Sequence, residues 1–419
     1  MNPPNQTLPL TETVTPANRD AVAEVVRDAC QTGTPVYAIG GGTSLHYGAR
    51  PTRPGLGLSL AGLNRVIDYP ARDLTITVEA GVTIAELAGR LASERQRLPV
   101  DIAQAARATV GGVVATNPCG PRRYQWGTVR DYVLGVHAVD GSGTPFSAGG
   151  RVVKNAAGYN LCRLLTGSLG TLGVITQVTL MVKPMPETSA LVACDLDDFD
   201  SAEKLLAEMV HTETVPAAIE LLAGPAWQDE PALCAAASDS AAGRLVVGLE
   251  GTTAEVEWMI ERLEAQWRRS SGVSPTAIRG DAAARAWNRL TEFPAEAPAE
   301  EGDAPLVLQI SLLPSVTVDF VRRLLGIDAG CSVQAHAGDG VIRARLSCEP
   351  GEIAAVLSER LRPAVGEAGG SMVVLSWPGG APLGPGDVWG PMPDGIAVMR
   401  SIKRQFDPKG ILNPDRFVY

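Results

Sequence analysis

The chain is poor in the residues that build metal and cluster sites. Its seven cysteines (Cys30, Cys119, Cys162, Cys194, Cys234, Cys331 and Cys348) are odd in number and scattered, with no Cys-x-x-Cys pair. That pattern supports neither a disulfide framework nor an iron–sulfur or zinc site. An iron–sulfur cluster that takes electrons from this protein would therefore belong to another chain. Long apolar runs are also missing: none approaches the roughly 20 residues that a bilayer span needs. Residues 1–16 are polar and proline-rich, without the basic start and apolar core of a signal peptide. The expected location is cytoplasmic, with contact to the inner membrane only through partner subunits. Basic charge is short as well. With 36 Lys and Arg against 46 Asp and Glu, the formal net charge is −10, which argues against a nucleic-acid or anionic-membrane partner.

What the chain has in excess is glycine, unevenly placed. Of 45 glycines, 23 lie from Gly33 to Gly173, about half in a third of the length. Glycine allows positive φ and lets main chain approach a ligand closely, at an entropic cost. The clusters are Gly40-Gly41-Gly42-Thr43-Ser44, Thr109-Val-Gly111-Gly112-Val, Lys154-Asn155-Ala-Ala-Gly158-Tyr159 and Gly167-Ser-Leu-Gly170-Thr171-Leu-Gly173-Val174-Ile175. They read as backbone cradles for an elongated, phosphate-bearing cofactor, with FAD the best fit. Successive N–H groups and two hydroxyls in Gly40–Ser44 offer what a pyrophosphate needs in place of water. No third glycine opens a helix, so this is not the dinucleotide-binding Rossmann fingerprint.

At 419 residues two domains are expected. Asn18 caps a helix that ends at Gly33, 35–39 is a strand running into the glycine turn, and Thr83 with Glu86 makes a capping box. Beyond Gly111 short strands dominate (132–139, around 152, 174–182). Residues 188–377 change in texture. Strands at 190–194, 218–222 and 244–250 alternate with helices at 201–211 and 252–269. A second set follows, with strands 306–312, 331–335, 341–346 and 372–375 and helices 316–325 and 351–368. This β-α-β-β-α-β order predicts a ferredoxin-like α+β sheet with extra elements, facing one layer of helices. The acidic stretch 294–303 reads as a surface loop, and the Gly/Pro-rich 378–394 as either a connector or a loop over a site. The organisation is thus a polar tail (1–17), a cofactor domain (18–187), a cap domain (188–377), the loop (378–394) and a closing segment (395–419).

Taken together with Gly120-Pro-Arg122-Arg123, Val129-Arg-Asp and the closing Lys403-Arg-Gln-Phe-Asp-Pro-Lys-Gly-Ile-Leu-Asn-Pro-Asp-Arg-Phe, these motifs resemble the PCMH-type FAD-binding proteins of the vanillyl-alcohol oxidase / p-cresol methylhydroxylase superfamily, most specifically the FAD-binding E subunits of bacterial glycolate oxidases. The resemblance implies a two-lobed FAD domain plus cap, with the closing segment returning to the FAD domain. It implies that Gly40, Gly41, Gly42, Thr43 and Ser44 hold the pyrophosphate, and that Thr109, Gly111, Gly112 and Asn117 run along the cofactor. Gly170, Thr171, Gly173, Val174 and Ile175 would lie near the flavin or adenine end, and Lys154, Asn155, Gly158 and Tyr159 near the isoalloxazine. Tyr159 also reads as a simple packing residue.

Three departures matter. Relatives often carry Arg before the first glycine run where this chain has Ile39, so a charge contact is lost or supplied by Arg122 or Arg123. The flavin-tethering His position is Thr43, and His46 lies three residues too late, so FAD is expected to bind non-covalently. Finally, His336-Ala-Gly-Asp-Gly-Val-Ile-Arg343 resembles the His-x-Gly-Asp-Gly-Asn-x-His segment of catalytic 2-hydroxyacid dehydrogenases. Arg343 replaces the second His, and a protonated guanidinium cannot ligate a metal, so no metal is expected. Either His336 serves as a base and Arg343 pairs with a substrate carboxylate, or Gly338-Asp339-Gly340 is a plain turn between strands. Three readings follow: a subunit of a glycolate or D-lactate dehydrogenase complex, acting on a 2-hydroxy acid beside a catalytic flavoprotein and an iron–sulfur subunit; a self-sufficient 2-hydroxyacid dehydrogenase; or a scaffold subunit with weak or no FAD binding.

Overall fold

The computed structural model of the chain describes residues 8–151, 159–228, 230, 233, 241–270, 273–295, 305–378 and 383–417. It divides into two compact units, the first made of Met1–Pro118, Thr128–Met185 and Leu383–Tyr419, the second of Cys119–Gly127 and Pro186–Pro382. The nine residues Cys119–Gly127, embedded in sequence within the glycine-rich region, thus cluster with the second unit.

In the first unit a parallel three-stranded sheet (Leu10–Val14, Gly55–Ser59, Val36–Ile39) and an antiparallel five-stranded sheet (Val66–Asp68, Thr75–Glu79, Val174–Met181, Val133–Val139, Pro145–Gly149) form two lobes. Helix Arg19–Thr32 starts and stops where its sequence dictates. The Asn18 side chain accepts from the Ala21 N–H, and Gly33 closes the helix at φ 72°. The Thr83–Glu86 capping box also forms. Residues 109–117, read as part of a backbone cradle, contain the helix Val110–Thr116, with the Thr109 hydroxyl as its cap. Gly111 belongs there because a Cβ would stand 2.6 Å from the Ala80 Cβ, so its glycine serves close helix–strand packing. The segment around 152 lies outside the described residues.

The closing segment completes the core of this unit: Ile411 and Leu412 are buried with Val22, Val36, Leu58, Val114 and Leu180. Asp407 organises it. Its two carboxylate oxygens accept from the Ile411 N–H at 3.0 Å and the Leu412 N–H at 2.8 Å, and it pairs with Lys403 Nζ at 2.6 Å. Lys403 Nζ in turn donates to the Thr171 carbonyl at 2.7 Å. The region 378–394 contains the short helix Pro385–Trp389, and the Trp389 indole donates to the Arg416 carbonyl at 3.2 Å.

The second unit is one antiparallel eight-stranded sheet, in the order Thr276–Ile278, Thr188–Leu196, Gly243–Gly251, Ala218–Ala223, Ser332–His336, Val341–Leu346, Leu306–Ser311, Ser371–Ser376. The first four and the last four each have βαββαβ connectivity, with spatial order fourth, first, third, second in one half and its mirror in the other. Two ferredoxin-like halves therefore share one sheet, joined edge to edge through Ala218–Ala223 and Ser332–His336. The sequence reading missed strand Thr276–Ile278 and helix Gly280–Glu292. That helix adds a cover beyond the single expected layer, because Trp287 and Leu290 pack with Ala218, Leu222 and Val246, the sheet face that also carries Glu220. The second half's last helix widens to π geometry over Val356–Leu361 just before Pro363, whose missing N–H removes a helical bond.

Replacing Asp407 by Ala should leave Lys403, whose charge burial already disfavours, without its carboxylate. A stability loss of about 3–5 kcal/mol is expected, the range for breaking a buried ion pair, and denaturant unfolding of the variant against the natural chain measures it.

Candidate functional site

Two separate groups of residues carry chemistry, one in each unit. In the first unit, strand Val36–Ile39 delivers Gly40-Gly41-Gly42 against the turn before the Thr109 cap. A Cβ on Gly40 would overlap the Thr109 hydroxyl, and one on Gly41 would overlap the Arg107 carbonyl oxygen. These positions require glycine because two backbone segments meet there. A third segment joins them: Leu169 and Gly170 stand at φ 52° and 68°, Asn413 at φ 40°, and the Asn413 side chain donates to the Leu169 carbonyl at 2.7 Å. Left-handed backbone at non-glycine residues costs energy and marks sites held for a purpose. Asn117, also left-handed, keeps its buried side-chain oxygen without a hydrogen-bond partner. A glycine-lined cradle with an orphaned polar atom fits an elongated cofactor that presents its own donors.

The cation beside this loop is Arg107, whose Nη2 donates to the Gly41 carbonyl at 3.3 Å. Arg122, expected at the phosphates, instead lies in the second unit, where its Nε pairs with Glu250 at 2.7 Å and its guanidinium sits over the Trp287 ring at 3.8 Å. Lys154, Asn155 and Gly158 lie outside the described residues. Tyr159 is 95% exposed, which removes the packing reading for it. Val174 and Ile175 are core side chains, so they reach a ligand only through main chain, and the Thr171 hydroxyl donates to the Ser168 carbonyl at 2.6 Å.

In the second unit, 336–343 joins two strands through a turn, as one of its two readings had it. Ala337–Gly340 is a turn, closed by Gly340 at φ 71°, and the flanking side chains form a buried polar cluster. His336 and Arg343 are each 2% exposed. Glu220 is the cross-strand partner of His336, and both its oxygens lie within hydrogen-bond distance of Nδ1, at 2.7 and 2.9 Å. Gln334 Nε2 donates to Glu220 at 2.9 Å. Cys119 reaches the cluster from the other chain segment of this unit, with Arg343 Nη2 donating to Sγ at 3.6 Å. Burial alone would strip the His336 charge, but Glu220, then Cys119, hold the imidazolium up to about 10. Burial alone would likewise push the Cys119 thiol up, yet Arg343, then His336 and Arg123, bring it down to about 6. Asp339, in the turn, has its carboxyl raised by burial against Arg123 and His336. Two buried donors remain without hydrogen-bond partners, Arg343 Nε and Nη1, while the His336 ring, held at Nδ1 by Glu220, faces the Cys119 side chain with its other nitrogen. Such a set of donors suits a small anion.

A family model described as "FAD binding domain" matches residues 11–163, and one described as "FAD linked oxidases, C-terminal domain" matches 185–373 and 391–417. The chain belongs to the FAD-linked oxidases. FAD is the cofactor of this FAD-linked oxidase, in keeping with the glycine cradle, and the PCMH-type α+β fold read from the motifs stands. It is 26% identical over 420 residues to "Glycolate oxidase subunit GlcD" of Bacillus subtilis (strain 168), covering 96% of this chain and 88% of that protein. Against "D-lactate dehydrogenase" of Archaeoglobus fulgidus the figures are 29% over 423 residues, 97% and 90%. Against "Glycolate oxidase subunit GlcE" of Escherichia coli (strain K12) they are 34% over 197 residues, 47% and 55%. Among solved structures, alkyldihydroxyacetonephosphate synthase shares the fold at TM-score 0.71 and 18% identity, over 96% of this chain and 76% of that one. No helix among the described residues is long and apolar enough to cross a membrane.

Sequence reasoning missed Cys119, Glu220, Arg107 and Asn413. Glu220 had a readable signal, since a lone carboxylate centred in the apolar Ala218–Ala223 strand needs a buried partner. Gly41 gives the direct check on the cradle: Gly41→Val should purify without the visible flavin absorbance that the natural chain carries, while its far-ultraviolet circular dichroism stays unchanged.

Proposed function

We propose that this FAD-linked oxidase is the FAD-binding subunit of a glycolate or D-lactate dehydrogenase complex, and that it oxidises a 2-hydroxy acid to the 2-oxo acid while electrons leave through FAD to a partner. The observation that carries the reading is Arg343, whose buried Nε and Nη1 donors have no partner beside an imidazolium. The names of the relatives, glycolate oxidase subunits and a D-lactate dehydrogenase, supply the substrate class. Bound FAD supplies the two-electron acceptor, held non-covalently by Gly40–Ser44, by Thr109, Gly111, Gly112 and Asn117, and by the main chain from Gly170 to Ile175. Lys154, Asn155, Gly158 and Tyr159 are assigned to its isoalloxazine end.

The chain's own residues then have distinct tasks. Arg343 binds the carboxylate of the acid through its free donors. His336, which the motif suggested as a base, carries a proton on each ring nitrogen at neutral pH because Glu220 holds Nδ1–H. It therefore acts as a donor from Nε2, toward the Cys119 side chain, and its charge favours an anion in this cluster. Any iron–sulfur cluster that takes these electrons belongs to another subunit, since the sequence has no Cys-x-x-Cys pair. A second reading, in which the chain works without partners, draws on the match along 97% of the chain to a D-lactate dehydrogenase. The two differ in whether co-purifying subunits are needed to reoxidise the flavin.

Mixing the purified protein anaerobically with glycolate and with D-lactate should bleach the flavin. Arg343→Met should raise the half-saturating acid concentration by roughly 30-fold or more, since truncating one side of a buried charge pair costs about 2–5 kcal/mol. Bleaching by neither acid, or an unchanged half-saturation in the variant, sinks the assignment.

A further inference from the structure

We propose that Cys119 is the proton acceptor of this reaction, with Sγ taking the hydroxyl proton of the 2-hydroxy acid whose carboxylate Arg343 holds. The inference rests on the oxidation reading above and adds the group that reading lacks. A dehydrogenation must dispose of the alcohol proton, and His336 is unsuited to receive it, because Glu220 occupies Nδ1 and keeps the ring cationic.

Cys119 is 7% exposed, and its Sγ accepts from Arg343 Nη2 at 3.6 Å, so one guanidinium serves both the thiol and the free donors Nε and Nη1. A carboxylate on Nη1, which shares one edge of the guanidinium with Nη2, stands beside the donor that holds the sulfur. The charges around the sulfur agree with this role. Arg343 from one strand, His336 from the next and Arg123 from the segment that follows Cys119 all favour thiolate. Facing them are two carboxyls: Glu220, tied to His336 on the far side of the ring, and Asp339 in the turn, whose acid form burial favours. The cluster thus lacks enough carboxylate to balance its cations, and a thiolate supplies the missing anion. A cysteine beside cations in a nearly dry site is the setting in which thiolates persist at neutral pH, and a base works best with an affinity for protons near the operating pH.

The substrate O–H bond breaks with its electron pair left on oxygen, and an S–H bond forms on Cys119. The Cα–H hydrogen would leave with its electron pair, for which FAD when bound supplies the two-electron acceptor, and the oxygen pair closes the C=O of the 2-oxo acid. The thiol later returns its proton to solvent.

The test uses the flavin-loaded protein and two variants, Cys119→Ser, which nearly preserves shape, and Cys119→Ala. In the natural chain the ultraviolet thiolate absorbance should titrate with a midpoint near 6, and that step should vanish in both variants. The anaerobic flavin-reduction rate should rise with pH through the same midpoint and then level off. In both variants it should fall by about 100-fold or more and lose that inflection, while the half-saturating acid concentration stays within a few-fold, since Arg343 is intact. Reduction at the natural rate with the same pH profile in a flavin-loaded variant overturns the proposal, as does a Cys119 thiol that stays protonated above pH 8. A natural chain whose flavin no 2-hydroxy acid bleaches overturns the oxidation reading and the proton-acceptor role together. Bleaching by the natural chain and equally by the variants overturns Cys119 alone.

Discussion

The pairing of Glu220 with His336 is the constraint on which the second unit's chemistry depends. It sits where the two ferredoxin-like halves meet, on the two strands that join them, with one side chain 0% and the other 2% exposed. A buried carboxylate alone would be costly, and so would a buried imidazolium; each is tolerated because the other is opposite it. The pair fixes the ring through Nδ1, keeps the charge on it, and turns Nε2 toward the remaining polar groups. Linkage gives the sign of its contribution to folding. The folded His336 holds its proton more tightly than an unfolded His would, so the pair's stabilisation is fully present below about 6.5 and fades as pH rises through about 10.

The first unit rests on a different principle, close backbone approach. Gly40 and Gly41 let one loop touch the turn at Arg107 and Thr109, while the Asp407–Lys403 pair pulls the closing segment into the same core. The left-handed Asn413 then braces Leu169 next to Gly170. Segments far apart in sequence are thereby held rigidly enough to bind a long cofactor without large side chains around it. Arg107 donates to the Gly41 carbonyl of this loop.

Much of this was legible in the sequence, for identifiable reasons. Local signals survived intact: the Asn18 and Gly33 caps, the Thr83–Glu86 and Thr252–Glu255 boxes and the 341–346 strand all depend on residues within a few positions. The βαββαβ order was readable, but the doubling was not, because edge-to-edge joining through Ala218–Ala223 and Ser332–His336 is a long-range pairing with no local signature. Helix Val110–Thr116 was hidden by its own glycines, which packing against Ala80 demands. Helix Gly280–Glu292 was overlooked, although its buried Ala283, Ala286, Trp287 and Leu290 are spaced for one face. At the candidate site, the turn between strands at 336–343 was readable from Gly338-Asp339-Gly340. Yet its side chains meet Cys119 and Glu220, more than 100 positions away in the chain, and Arg122 pairs with the equally remote Glu250, contacts that no local pattern announces.

The central claim is that Arg343 and His336, held by Glu220, form a binding site for the carboxylate of a small acid. Calorimetric titration with oxalate, which has the carboxylates of the product class but no hydrogen to give up, tests it without turnover. Binding by the natural chain that is lost in both Arg343→Met and Glu220→Gln, with flavin content unchanged, is the predicted result. Equal oxalate affinity in all three proteins would contradict the account.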